Sequence, residues 1–479
     1  MSAETTEVLP VEDCSRLDVI SPLDGSVLKS VDVADSNAVD ETVQQAAVAF
    51  DSWAATPIRD RVQVLSTFKR KVEEDLPQLS EIISKENGKT QSEASDEVKR
   101  GLEIVDFAIS IPHLGLDNTL EVSRGVRCQS EHAPLGVTLG ITPFNFPAMV
   151  PMWMFPISIA CGNSFVLKPS EQTPLAALRL AEYFADAGLP EGVFNVVNGG
   201  RDTARRLIEN EAVKAVGFVG STPAARSIYA LAGNSGKRAL ALGGAKNHIT
   251  LMPDADPEIA ATNIVASAMG CAGQRCMAAS VLILVGDCQE ILDKIVALTG
   301  QIELGRDMGA VISSAAKERI SGYIDSAESE GARILVDGRE ISAALPTSGS
   351  YVGPTIIDGI GQGSACVSDE IFGPVLSILR VDSLDEALTI ENASPYGNAA
   401  SIYTRSGAAA EHYSAQANAG MIGVNIGVPV PRDPFPFGGW NASRFGVGDM
   451  TGAEGIRFWT QIKKITSKWS SNAARNWMS

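Results

Sequence analysis

Residues 164–197, SFVLKPSEQTPLAALRLAEYFADAGLPEGVFNVV, carry the reading on which the fold turns. Ser164 to Leu167 is a short, almost uninterrupted apolar run, the pattern of a strand buried on both faces. From Leu175 to Ala187, the charges Arg179, Glu182 and Asp186 recur at spacings of three and four, which gathers them on one face of a helix. Gly188 is the stop, and Val193 to Val197 is the next strand. Ala215 to Val219, Ala239 to Leu242 and His248 to Met252 continue the series. Strands alternating with amphipathic helices predict an α/β protein built on a doubly wound parallel sheet.

Working outward, Val39 to Ile109 is mostly amphipathic helix, and a turn-rich strand stretch, Leu120 to Leu135, leads into Gly136 to Thr142. Ala148 to Leu167 runs about twenty residues without a charge, the length of a membrane span. Pro151, Pro156, Gly162 and Asn163 interrupt it, so it reads as a buried helix followed by a buried strand. After Asp254 the helix and strand pattern begins again, which puts a domain boundary near Gly243-Gly244. Gln461 to Lys468 alternates basic and β-branched residues. It reads as a strand without a local partner, of the kind that pairs with another subunit.

A chain of 479 residues exceeds one ordinary core, so two domains and a small third element are expected. Its 45% hydrophobic and 20% charged residues are globular values. The 39 basic against 57 acidic residues leave a net charge of -18, which argues against nucleic acid and anionic membranes as partners. Met1 to Cys14 is acidic and has neither a basic nor an apolar region, so no signal or transit peptide is expected. The seven cysteines, Cys14, Cys128, Cys161, Cys271, Cys276, Cys288 and Cys366, are odd in number and form no CxxC pair. That usage fits a reducing, cytoplasmic setting without structural metal.

Four segments carry candidate chemistry. Gly270-Cys271-Ala272-Gly273-Gln274-Arg275-Cys276-Met277 sets a cysteine in a glycine-flexed loop, where a nearby helix dipole can favour the thiolate; a small buried hydrophobe is the commoner fate of a free cysteine. In Ile141-Thr142-Pro143-Phe144-Asn145-Phe146-Pro147 one amide stands among prolines and aromatics, able to donate to a developing oxyanion. Gly217-Phe218-Val219-Gly220-Ser221-Thr222-Pro223 ends a strand and opens a helix, with Thr222 as N-cap and Pro223 as first helical residue, a place where phosphate can bind. The GxGxxG fingerprint is absent. Lys168-Pro169-Ser170-Glu171 follows the carboxyl end of a strand, where Lys168 and Glu171 can take ribose hydroxyls and a carboxylate would repel a 2′-phosphate, favouring NAD over NADP.

In their order along the chain, ITPFNFP (141 to 147), LKPSEQTP (167 to 174), GFVGST (217 to 222), GQRC (273 to 276), EIFGPV (370 to 375) and PFGG (436 to 439) resemble the aldehyde dehydrogenase superfamily. The resemblance implies two doubly wound α/β domains plus a small β oligomerisation element. Residues 1–115 and 136–244 would bind NAD, 245–445 would be catalytic, and 116–135 with 446–479 would bridge subunits of a homodimer or homotetramer. It implies Cys276 as nucleophile and Asn145, with the Cys276 backbone N–H, as oxyanion hole. Lys168 and Glu171 would hold the adenosine ribose, Ser221 the pyrophosphate and Glu370 the nicotinamide ribose. Phe372 would buttress the ring, with Phe144, Ser170, Gly199 and Gly220 as further cofactor contacts.

Most hydrolytic members open the E-L-G-G motif with a glutamate that activates water; here the segment reads Ala241-Leu242-Gly243-Gly244. The run Gly236 to His248, with Arg275-Cys276-Met277 and Arg100-Gly101-Leu102, resembles the CoA-acylating methylmalonate-semialdehyde dehydrogenases. That likeness implies CoA as co-substrate, and Arg100 and Arg275 as a fork for the carboxylate of a short anionic aldehyde. A surface helix position for Arg100 and a structural ion pair for Arg275 are the plainer alternatives. Gly423 to Phe437, with Arg432 and Asp433 between prolines, departs from that subfamily, so a sulfonated or other acidic aldehyde, and hydrolysis to the free acid, stay open.

Overall fold

The computed structural model describes residues 16–469. Its first sheet has six strands, in the order 444–445, 238–242, 213–219, 137–141, 164–168 and 194–196. All pairs are parallel except the first, where Phe445 lies antiparallel to Ala241. The buried helix Met149–Ala160 crosses between Val137–Ile141 and Ser164–Lys168, as expected of the long uncharged run. Strand order reverses beside Val137–Ile141: the next two strands go to one side, and Val213–Val219 returns on the other. The carboxyl ends of Val137–Ile141, Ser164–Lys168 and Val213–Val219 therefore open on a crevice of the type that binds ligands in doubly wound sheets.

The second sheet has seven strands, in the order 333–336, 355–358, 375–381, 279–285, 247–251, 399–403 and 421–424. His248 to Met252 continues the series in this sheet rather than the first, because Gly243 to Lys246 carries the chain from Arg238–Leu242 across to Asn247–Leu251. Cys276 and Glu370 lie just before strands Ala279–Val285 and Val375–Val381. The amino ends of the second sheet thus face the carboxyl ends of the first, and the site forms between them.

Thr460–Lys468 finds a partner far back in the chain, on one of its two edges. It pairs antiparallel with Val126–Pro134 along its whole length, from Thr460 opposite Pro134 to Lys468 opposite Val126. Asn118–Ser123 covers the other edge of Val126–Pro134. Residues 446–459, assigned from the sequence to this β element, are instead drawn into the first core: helix Gly452–Trp459 ends in the fully buried Trp459, whose ring meets Phe165 at 5.8 Å. Phe165 in turn meets Phe155 edge to face, and Phe155 meets Phe184 and Phe194 in the same way, a geometry that adds to the burial itself.

Among the described residues no helix is long and apolar enough to cross a membrane, and the six cysteines are free thiols. Cys14 lies outside the described residues, as do the remainder of the amino-terminal segment and 470–479.

Candidate active site

The nucleophile loop is shaped by an unusual backbone. Helix Pro257–Met269 stops at Gly270, and Cys271, Ala272 and Gly273 follow in the left-handed region at φ 52°, 51° and 68°. Such a conformation costs energy at the two residues bearing a Cβ and persists only where surroundings impose it. Here the Cys271 N–H donates to Glu93 Oε1 at 2.6 Å, and the Gln274 N–H donates to the Cys271 carbonyl at 3.0 Å. Gly273 is required for space as well: a Cβ there would stand 2.0 Å from the carbonyl oxygen of Gly373. The GQRC and EIFGPV motifs meet backbone to backbone at this point.

Asn247, inside a stretch quoted from the sequence but given no role there, locks the far side of the loop. Its Nδ2 donates to the carbonyls of Cys276 at 2.8 Å and Ala278 at 3.0 Å, and its Oδ1 accepts from the Ala399 N–H at 3.1 Å. A buried asparagine at a strand start, able to serve two acceptors and one donor, is the signal that could have found it.

The Cys276 thiol is partly buried and pushed up to about 12, first by burial and then by the charge of Glu370. The backbone N–H groups of Cys276 and Met277, and Arg275, pull the other way without prevailing. Of the two fates the sequence left open, this shift favours the buried thiol, because desolvation of an anion outweighs these local donors.

Asn145 is buried, and its Nδ2 donates to the Gln274 carbonyl at 2.9 Å. One amide hydrogen thus fixes the side chain against the nucleophile loop, and the second remains for an oxyanion. Glu370 accepts from the Ala245 N–H at 2.9 Å, and its carboxyl is raised by burial. Gly244 clears room for it: a Cβ at Gly244 would meet Glu370 Oε2 at 2.1 Å. Phe372, at φ 51°, presents its ring to Phe144 edge-on, with centroids 5.8 Å apart. A void of about 10 Å³, room for a single water, lies among Cys276, Asn247, Arg275, Glu370 and Phe372.

In the crevice of the first sheet, buried Lys168 donates to the carbonyls of Pro169 at 2.7 Å and Gly199 at 2.6 Å, and reaches Glu171 Oε2 at 3.5 Å. Burial lowers its pKa. Ser170 Oγ accepts from the Gln172 N–H at 3.2 Å. Helix Thr222–Asn234 is capped one residue earlier than the sequence suggested: Ser221 is the N-cap, and Thr222 Oγ1 accepts from Gly244 N–H at 2.9 Å. Ser221 makes no side-chain cap bond, so the helix's first amides and the Ser221 hydroxyl are available beside Gly220. That cradle fits a pyrophosphate, and Glu171 fits a ribose diol.

The two arginines already hold partners, both on helix Gln91–Ser110. Arg100 Nη1 donates to Glu103 Oε2 at 2.6 Å, and Arg275 Nη2 stands 3.6 Å from Glu93 Oε1 while its Nε donates to Cys271 Sγ at 3.3 Å. Arg432 approaches Glu103 at 3.7 Å. Beside them the Asp433 carboxyl is pushed up to about 6, by burial and then by Glu103, against the pull of Arg100. The divergent entrance stretch and Arg100 thus share one charge cluster.

The family model described as "Aldehyde dehydrogenase family" matches residues 10–465. The chain is 45% identical over 459 residues to malonate-semialdehyde dehydrogenase 2 of Geobacillus kaustophilus (strain HTA426), covering 94% of this chain and 95% of that one. It is 43% identical over 468 residues to the malonate-semialdehyde dehydrogenase of Pseudomonas aeruginosa, covering 95% and 94%. Among solved structures, methylmalonate-semialdehyde dehydrogenase from Oceanimonas doudoroffii superposes with a TM-score of 0.94 at 41% identity over 97% of each chain. A candidate methylmalonate-semialdehyde dehydrogenase from Sinorhizobium meliloti 1021, complexed with NAD, gives 0.94 at 40% identity over 96% of each.

Proposed function

The chain belongs to the aldehyde dehydrogenase family, and from that premise we propose that it oxidises a short anionic aldehyde, of the malonate or methylmalonate semialdehyde type, and passes the acyl group to CoA. NAD, when bound, accepts the hydride. The rest falls to the chain's own residues. Lys168 and Glu171 hold one end of the cofactor and Ser221 its pyrophosphate, while Glu370 and Phe372 hold the nicotinamide end. Arg100 and Arg275 bind the substrate carboxylate as a fork, which leaves the carbonyl carbon above Cys276 Sγ. As that sulfur attacks, its proton passes to water in the adjoining void and the carbonyl oxygen gains charge, received by the free Asn145 amide hydrogen and the Cys276 N–H. Hydride departure from the same carbon leaves a thioester on Cys276.

The observation that carries the acyl-transfer step is Ala241. It is fully buried, at the place where hydrolytic relatives present a water-activating glutamate. The thioester then waits for a nucleophile that needs less activation than water, and a thiol is one. A hydrolytic reading draws on one observation: the void beside Cys276 and Glu370 has room for a water, and Glu370's raised carboxyl could serve as its base. Mixing enzyme, NAD and malonate semialdehyde with and without CoA separates the two. Acyl transfer predicts acyl-CoA with CoA present and about one NADH per site without it, whereas steady free-acid formation without CoA would support hydrolysis.

The free thiols suit a reducing cytoplasm. The exposed Leu120, Val122, Ile462 and Ile465 on the three-stranded sheet suit burial in a homodimer or homotetramer.

A further inference from the structure

Lys89 and Glu97 form an ion pair at 2.6 Å with side chains 1% and 0% exposed. Neither entered the chemistry read from the sequence. Taking both charges out of water costs more than their attraction commonly returns, and apolar residues of similar size often serve stability equally well. A pair kept at that cost calls for a geometric task, and its remaining bonds identify one. Lys89 Nζ donates a second hydrogen to the backbone carbonyl of Asn145 at 2.7 Å and lies 4.3 Å from the centre of the Phe146 ring. Glu97 Oε1 accepts from the N–H groups of Ala148 at 2.8 Å and Met149 at 3.1 Å.

Helix Met149–Ala160 has Ala148 at its N-cap position and no side-chain cap of its own, so Glu97 supplies that cap from another helix. The pair thus grips residues 145–149 at both ends. The Asn145 carbonyl is held on one side and the helix start on the other, with Phe146 clamped between. The Asn145 side chain points out of this frame, toward the Gln274 carbonyl and the nucleophile loop.

We propose that Lys89 and Glu97 are positioning residues for the oxidation step: together they fix the peptide of Asn145 so that its free amide hydrogen meets the oxyanion. The inference rests on the reading of Asn145 as oxyanion donor. A group placed wrongly by about 1 Å can lose a hundredfold in rate, so loosening this frame acts on the transition state and spares binding.

The test is the double variant Lys89→Met/Glu97→Gln, which removes both charges together and keeps an amide oxygen for the Ala148 and Met149 N–H groups. Expected are a thermal midpoint near that of the parent, unchanged NAD affinity by fluorescence quenching, unchanged KM, and hydride transfer slowed about tenfold to a hundredfold in single turnover. Hydride transfer at the parent rate would overturn the inference, and so would a parallel rise in KM and fall in NAD affinity, the mark of general damage. Should the double variant not fold, Glu97→Asp keeps the charge balance with Lys89 and draws the carboxylate back from the Ala148 and Met149 N–H groups. A few-fold loss in hydride transfer at constant KM then supports the proposal, and an unaltered rate refutes it. Asn145→Ala separates the premise from the inference. If it leaves hydride transfer intact, the oxyanion reading itself fails; if it is slow while the charge-pair variant is fast, the positioning role alone fails.

Discussion

Asn145 and Gln274 are joined by a 2.9 Å hydrogen bond from the amide of the first to the backbone carbonyl of the second, tying the end of a first-sheet strand to the loop that carries Cys276. Displacing one segment from the other must break this bond, so Cys276 and the candidate oxyanion donor are held in register.

Replacing Asn145 by Ala should therefore lower kcat by about a hundredfold to a thousandfold with little change in KM, as loss of one oxyanion donor does elsewhere. Steady-state kinetics decide it, and a KM effect without a kcat effect would assign Asn145 to substrate binding alone.

The Cys276 thiol, pushed up to about 12 by burial and then by Glu370, should stay protonated throughout the physiological range. Because the thiolate is the nucleophile, its alkylation by iodoacetamide should rise about tenfold per pH unit from pH 7 to pH 10 with no plateau. A plateau below about pH 9, the ordinary range of a free thiol, would contradict the burial argument.

Arg100→Leu should raise KM for malonate semialdehyde by about tenfold to a hundredfold and leave propanal almost unaffected, the span expected for a lost bond to a charged group. Glu103→Gln should act oppositely, lowering the same KM a few-fold, since Glu103 now occupies Arg100 at 2.6 Å in a partly exposed pair. Equal effects on charged and neutral aldehydes would remove Arg100 from substrate recognition.

Glu171 lies at the mouth of the first-sheet crevice, 3.5 Å from Lys168. Glu171→Ser should raise kcat/KM for NADP by roughly tenfold, because a like charge no longer faces the 2′-phosphate. Parallel titrations with NAD and NADP give the ratio, and an unchanged ratio would place cofactor choice elsewhere.

Trp459→Ala should cost about 3–5 kcal/mol of stability, the usual range for emptying a buried aromatic site. Differential scanning calorimetry reads this as a lowered first-domain transition; an unaltered thermogram would show that Trp459 does not support the first core.

The sequence made legible whatever is local. The alternation around 164–197 marked out the first sheet, and five of the six short motifs named residues that the chain brings into two adjoining places, the loop of Cys276 and the crevice of Lys168. What stayed hidden depends on partners distant in sequence. Asn247 gains its meaning from three backbone groups contributed by two other segments. Lys89 and Glu97 drew no role from the sequence, since the 145–149 segment they hold lies some fifty residues further on. The state of Cys276 stayed open because local donors are visible in a sequence, whereas the desolvation opposing them is a property of the whole fold. Thr460–Lys468 looked partnerless for the same reason: its neighbour Val126–Pro134 belongs to a much earlier part of the chain.

That the late residues Arg444, Phe445 and Trp459 complete the first sheet and its core bears on synthesis. A ribosome that has made every strand up to Arg238–Leu242 has produced a half-built domain, with one sheet edge bare and an aromatic cavity open. The whole second sheet must emerge before that gap can close. The two halves therefore mature together, and the growing chain carries an exposed apolar opening while the whole second sheet is made, a period when chaperones matter most.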